Sequence, residues 1–224
     1  MGISQQIGAS SLSKPGVCTS STRPATPYEG QMIYETDTDL SYVYNGSSWQ
    51  QIAGSTAVGN SGLVYVTSTT WTSTAAAQQI DNCFTSTYDN YLIHWSGVGS
   101  TVNDELLYAR LVNGTTPDSS AIYYHSSAFS GTSAMSVAYQ GSQTENRIGF
   151  VGDTLFQGSL TLHNPQTANK TSGLSTFFAS STNQFLNGNN AQMINNTTQY
   201  EGITLFPSTG TWAGTITVFG YRKA

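Results

Sequence analysis

Twelve carboxylates and three histidines are the residues with which this 224-residue chain would do acid–base or metal chemistry. Glycan hydrolysis needs two carboxyl groups flanking one bond. The only adjacent acidic pair, Asp104 and Glu105, falls in a β-rich run, where successive side chains point to opposite faces and cannot act together. Most of the other acids stand in turn-like stretches, where Asp is favoured because it bonds to its own backbone. Asp37-Thr38-Asp39 has the spacing that opens a calcium loop but lacks the glycine and distal glutamate that complete one, and a hairpin turn accounts for it. His94, His125 and His163 stand alone on separate runs, which suits partly buried or interface imidazoles. The alternative is one histidine from each of three subunits meeting on a threefold axis. Cys18 and Cys83 fit no zinc spacing, and free thiols made in a reducing cytoplasm are expected. No nucleophile elbow, phosphate loop or dinucleotide fingerprint is present. The residues therefore predict a protein that is not an enzyme and uses no metal or other cofactor.

Aromatic side chains are the stronger signal. They make up 12% of the chain, with 13 Tyr, whereas charged residues are only 8%, against roughly 25% in ordinary soluble domains. Tyr123 and Tyr124, with Asn187 and Asn189 in an Asn-rich stretch read as a loop over residues 183 to 190, either stack on and hydrogen-bond to sugar rings or serve as core and interface residues. Trp95 and Trp212 are expected in the core. The net charge is −5 and the seven basic residues are scattered, which argues against nucleic-acid binding. No run approaches the ~20 apolar residues of a membrane span, and no secretory signal is visible.

The elements that must position these residues are strands. Gln31 to Glu35 and Leu40 to Tyr44 alternate around Thr36-Asp37-Thr38-Asp39, a hairpin signal; Asn45-Gly46 suits a tight primed turn, and Trp49 with Ile52 forms a third strand. Before this meander lies an arm, residues 1 to 22, with a helix expected from Ser4 to Leu12 that Pro15-Gly16 stops. After it a Gly-rich linker leads to a boundary near residue 60. The remaining residues, 61 to 224, show twelve short β-rich runs between turn signals, which predicts a β-sandwich of jelly-roll type. In the last run Ile216 and Val218 take one face, and Phe219 and Tyr221 the other. The fold class is thus all-β: a small N-terminal meander, residues 23 to 60, followed by a β-sandwich head.

The stretch from Ser21 to Asp39, STRPATPYEGQMIYETDTD, with YNGSSW at Tyr44 to Trp49, resembles the hairpin segment of tail-fibre, head-fibre and capsid-decoration proteins of tailed bacteriophages, particularly of marine or cyanobacterial hosts. Phe84 to Ile93, Tyr200 to Leu205 and Thr215 to Lys223 look like the C-terminal domain of the same proteins. The resemblance implies a virion structural protein: a short fibre or appendage, with a capsid cement protein or a carbohydrate-binding receptor-recognition protein as alternatives. It implies a homotrimer, attachment to other virion proteins through residues 1 to 60, and contact with host surface polysaccharide. Tyr34, Tyr42, Tyr44 and Trp49 are the expected attachment or subunit contacts.

Overall fold

The alternating residues at the front of the chain form β2 (Met32–Glu35), β3 (Leu40–Tyr44) and β4 (Trp49–Ala53), an antiparallel meander with Met32 opposite Val43 and Tyr44 opposite Trp49. The computed structural model describes residues 15–53, 62–99, 104–131, 135–182 and 185–223. The helix expected at Ser4 to Leu12 lies outside them, as does the linker expected over Ile52 to Gly62 except for Ile52 and Ala53, which end β4, and Gly62.

Two features of this small sheet differ from expectation. Its fourth strand, β1 (Gly16–Cys18), runs parallel to β2 and was expected as part of the arm. Three residues with an exposed Val17 carry no alternation to read; side chains hold the strand instead, with Asp37 accepting from the Ser20 amide and hydroxyl and Glu35 accepting from Arg23. The β3–β4 turn is also longer than a primed turn. Only Gly46 takes positive φ, and the Asn45 side chain accepts from the Ser47 and Ser48 amides at 3.0 and 2.8 Å, closing a four-residue loop.

From residue 62 onward the chain forms a separate compact unit, a sandwich of two antiparallel sheets. The larger has eight strands in the spatial order β11 (Met135–Gln143), β10 (Tyr123–Ser130), β15 (Phe185–Ile194), β14 (Thr171–Ser180), β13 (Leu155–His163), β7 (Tyr88–Gly99), β17 (Trp212–Arg222) and β5 (Leu63–Ala75). The smaller is β12 (Asn146–Val151), β8 (Glu105–Asn113), β16 (Gly202–Pro207) and β6 (Gln78–Ile80), with the short β9 (Thr116–Pro117) paired to β8. Each of the twelve expected runs overlaps a strand, although the run expected over Gln78 to Phe84 is strand only at Gln78–Ile80. The all-β class and the sandwich are as the sequence predicts.

The core lies between the sheets and is rich in large aromatics, three of which have their polar tips satisfied. Tyr91 donates to the Thr85 carbonyl, Trp212 Nε1 to the Leu205 carbonyl, and Tyr200 to Asp118 Oδ2 at 2.6 Å. Each aromatic thereby contributes area to the core and a tether, Tyr91 and Tyr200 to loops and Trp212 to β16. Burial and the Asp118 bond push the Tyr200 hydroxyl up to about 12. Burial raises the Asp118 carboxyl, but hydrogen bonds from Tyr200 and Ser120 outweigh it and the net shift is downward. Stability from Asp118 is thus present above its unfolded value of 3.8 and is lost as pH falls through the lower folded value. Tyr200→Phe removes the strongest of these bonds, so the acid-unfolding midpoint read by tryptophan fluorescence moves to higher pH; an unmoved midpoint contradicts the assignment.

Candidate functional site

Because side chains alternate along a strand, each strand of the larger sheet sends every second residue away from the core. Those outward positions make one face across eight strands, and none of them is Asp, Glu, Lys or Arg. The whole eight strands contain only two formal charges, Asp89 and Arg222, both near strand ends. The face carries large apolar groups open to solvent: Val137 is 78% exposed, Tyr139 72%, Tyr65 61% and Leu174 60%. A patch of this kind is unusual on a monomer's surface and marks a binding face.

The register shows how they are arranged. Tyr139, Ser126, Ala191, Leu174, Thr161, Leu92, Phe219 and Tyr65 are successive cross-strand neighbours, so one nearly continuous apolar row crosses the sheet from edge to edge. Beside this row the centre of the face is polar and concave. A hollow of about 580 Å³ is lined by His94, Gln157, Ser159, Thr176, Phe178 and Thr217. Hydroxyls pair across strands there and on the adjoining edge, Ser159 with Thr176 at 3.0 Å and Ser68 with Thr217 at 2.9 Å. A second hollow, of about 530 Å³, is mainly apolar and is lined by Ala128, Val137, Tyr139, Leu174 and Ala191. The arrangement suits an uncharged partner: another protein's apolar surface, or a neutral polyhydroxyl ligand over the hydroxyls.

The sugar-contact residues read from the sequence are not brought together. Tyr123 is a core residue with no exposure; its hydroxyl donates to the Asp118 carbonyl and accepts from the Leu111 amide, so it is unavailable to a ligand. Tyr124 does face outward, bonded to Ser142 at 3.0 Å, but opposite Met193, four residues along β15 from Asn189. Asn187 and Asn189 sit on a strand in the middle of the sheet and not in a loop. The Asn-Gly-Asn wording reads as a turn, yet Gly188 is there because a Cβ would stand 2.4 Å from the Ala128 carbonyl; it permits close strand approach. Trp95 and Trp212 are buried, as expected.

His94 lies on the outward face with its ring 5.9 Å from Phe219, His163 bonds to Asn90, and His125 faces the core. Among the described residues no three His, Cys, Asp or Glu side chains gather to hold an ion, and both cysteines are free.

In the N-terminal unit, Tyr44 and Trp49 pack together at 5.4 Å, and Arg23 lies over the Tyr42 ring on the same face. Tyr34 is opposite Ser41 while Ile33 is opposite Tyr42, which places Tyr34 on the other face, bonded to Asp39 at 2.7 Å. The four expected contact residues thus divide three to one between the faces of the sheet.

Leu174, Val137 and Phe178 were not picked out by sequence reasoning. The available signal was an inverted alternation in β14, where Ser175 and Thr171 point inward and Leu174 and Phe178 outward. Comparison of the chain with protein-family models, with curated proteins and with solved structures finds no match.

Proposed function

We propose that this chain is a non-enzymatic structural subunit of a tailed-phage particle, a short fibre or appendage. Its N-terminal unit joins other virion proteins, and its β-sandwich associates with further copies and adheres to the host. The observation that carries this reading is the charge-free outward face of the eight-stranded sheet with Val137, Tyr139, Leu174 and Tyr65 exposed on it. Burial of apolar area without ion pairs is how permanent homo-oligomers hold together. The likeness of Ser21 to Asp39 to phage appendage segments supplies the particle context.

The test is sedimentation at micromolar concentration. The wild type is expected as a trimer and Val137→Asp/Leu174→Asp as a folded monomer; a wild-type monomer removes the association. In parallel, residues 1–60 fused to a fluorescent protein should sediment with the phage particles and the 62–224 head alone should not; the reverse result removes the attachment role.

The hydroxyl-lined hollow favours a second reading, recognition of a neutral surface polysaccharide, in which the same head is the receptor-binding part. Gln157→Ala would then reduce glycan-array binding at least about tenfold, the loss of one well-placed hydrogen bond to a buried ligand. An array with no wild-type signal ends this reading and leaves the structural one, with a cement role, standing.

A further inference from the structure

His125 is 4% exposed on the core side of β10, and its Nδ1 is buried with no hydrogen-bond partner. The groups around it come from three strands and a turn. Gln140 on β11 and Gln192 on β15 lie directly opposite it on either side, and the charges of Arg147 on β12 and of Glu145 in the turn before β12 act on it. Glu145 is already engaged by Arg110 at 2.8 Å. The Arg147 guanidinium lies between two aromatic rings, 5.1 Å from Phe129 and 5.2 Å from Phe150, and among the described residues no carboxylate pairs with it. The Gln192 amide donates to the Arg147 carbonyl, so the backbone of β12 is fixed directly above the β10–β15 pair.

We propose that His125 and Arg147 form an acid-sensitive latch. When His125 takes up a proton, an imidazolium forms at a buried position under the influence of the Arg147 guanidinium, which among the described residues has no carboxylate to balance it. The two like charges drive β10 away from β12 and open that side of the sandwich. The site is placed where opening involves least structure. β11 is the edge strand of the larger sheet and pairs with β10 alone, and β12 is the edge strand of the smaller sheet. Only these strands need to part.

Burial first, and the Arg147 charge second, hold the imidazole below its ordinary value of 6.5. A histidine with a depressed folded value binds its proton more tightly when unfolded. Stability is therefore full above the unfolded value and declines as pH falls from there toward the folded value.

Hydrogen exchange on the full chain tests the latch, comparing about pH 7.5 with about pH 5 after correction for the intrinsic rate. In the wild type the β10 and β11 amides should exchange about tenfold faster in acid relative to those of β13 and β7, as a linked loss of local stability requires. His125→Gln keeps a hydrogen-bonding side chain without the charge and should abolish the difference. Acid acceleration that is absent in the wild type, or that persists in His125→Gln, overturns the proposal. A titration of the imidazole by NMR in the wild type gives an answer even if the variant does not fold: a value at or above the ordinary one overturns the latch, and a lower value that rises in Arg147→Met supports it.

Discussion

Trp212→Ala is expected to cost the head about 3–5 kcal/mol, the range for emptying a large aromatic from a packed core, and to lower its Tm by about 10 °C. Trp212 has no solvent exposure and packs edge-on to Phe156 at 5.3 Å and against Trp71 at 6.4 Å. Its indole donates to Leu205 on the smaller sheet, and its carbonyl accepts from the buried Gln78 amide at 3.0 Å. One residue of the larger sheet thus fastens β16 and the start of β6. Truncation leaves a cavity and an unpaired carbonyl at Leu205, and two penalties are combined. Urea unfolding followed by circular dichroism measures the loss; a change below about 1 kcal/mol would mean the site collapses around the alanine.

Gly214→Val is expected to prevent folding of the head altogether. Gly214 and Gly97 are direct cross-strand partners on β17 and β7, beside an irregularity in the β17–β5 register. A Cβ on Gly214 would stand 2.1 Å from the Ser96 carbonyl and 2.7 Å from the Gly97 Cα, and one on Gly97 would stand 2.4 Å from the Ala213 carbonyl. Both obstacles are backbone, which cannot move without parting β7 from β17 inside the sheet. The cost exceeds about 5 kcal/mol, the low end of a whole domain's stability. Soluble yield and the β-sheet circular-dichroism signal report it, and a soluble variant with wild-type Tm would show that the strands separate there at little cost.

Most of the strands, though not β1 or β9, were legible because Tyr, Val, Ile and Thr runs are punctuated by Gly, Asn, Asp and Pro. The direction each strand faces was legible only where one side is plainly apolar, as at Ile216 and Val218 or Leu160 and Leu162. In β14 both sides are mixed. Gly173 and Ser175 go inward because Ser175 has partners there, donating to the Ile148 carbonyl and accepting from Asn190 and Gln192. That polar interior reversed the usual reading and concealed the outward face. The same interior is why Asn187 to Asn190 looked like a loop: Asn190 is one of the inward partners, and the residues alternate with the strand. Tyr123 and Tyr124, adjacent in sequence, were read as one site, whereas strand geometry sends them to opposite sides. The small sheet's first strand had no pattern at all, because its contacts are made by Ser20, Arg23, Asp37 and Glu35 outside it.

The order of strands also has a consequence for synthesis. β17, the last strand, lies between β5, the first strand of the head, and β7, so that Ser68 meets Thr217 from 149 residues away. Until β17 has been made, β5 has no partner in its sheet and β7 has an open side. The head therefore cannot close until β17 has left the ribosome. Pairing over such a distance in sequence makes the closing step slow, and a nascent chain waiting for it displays an uncharged thirteen-residue strand to its neighbours.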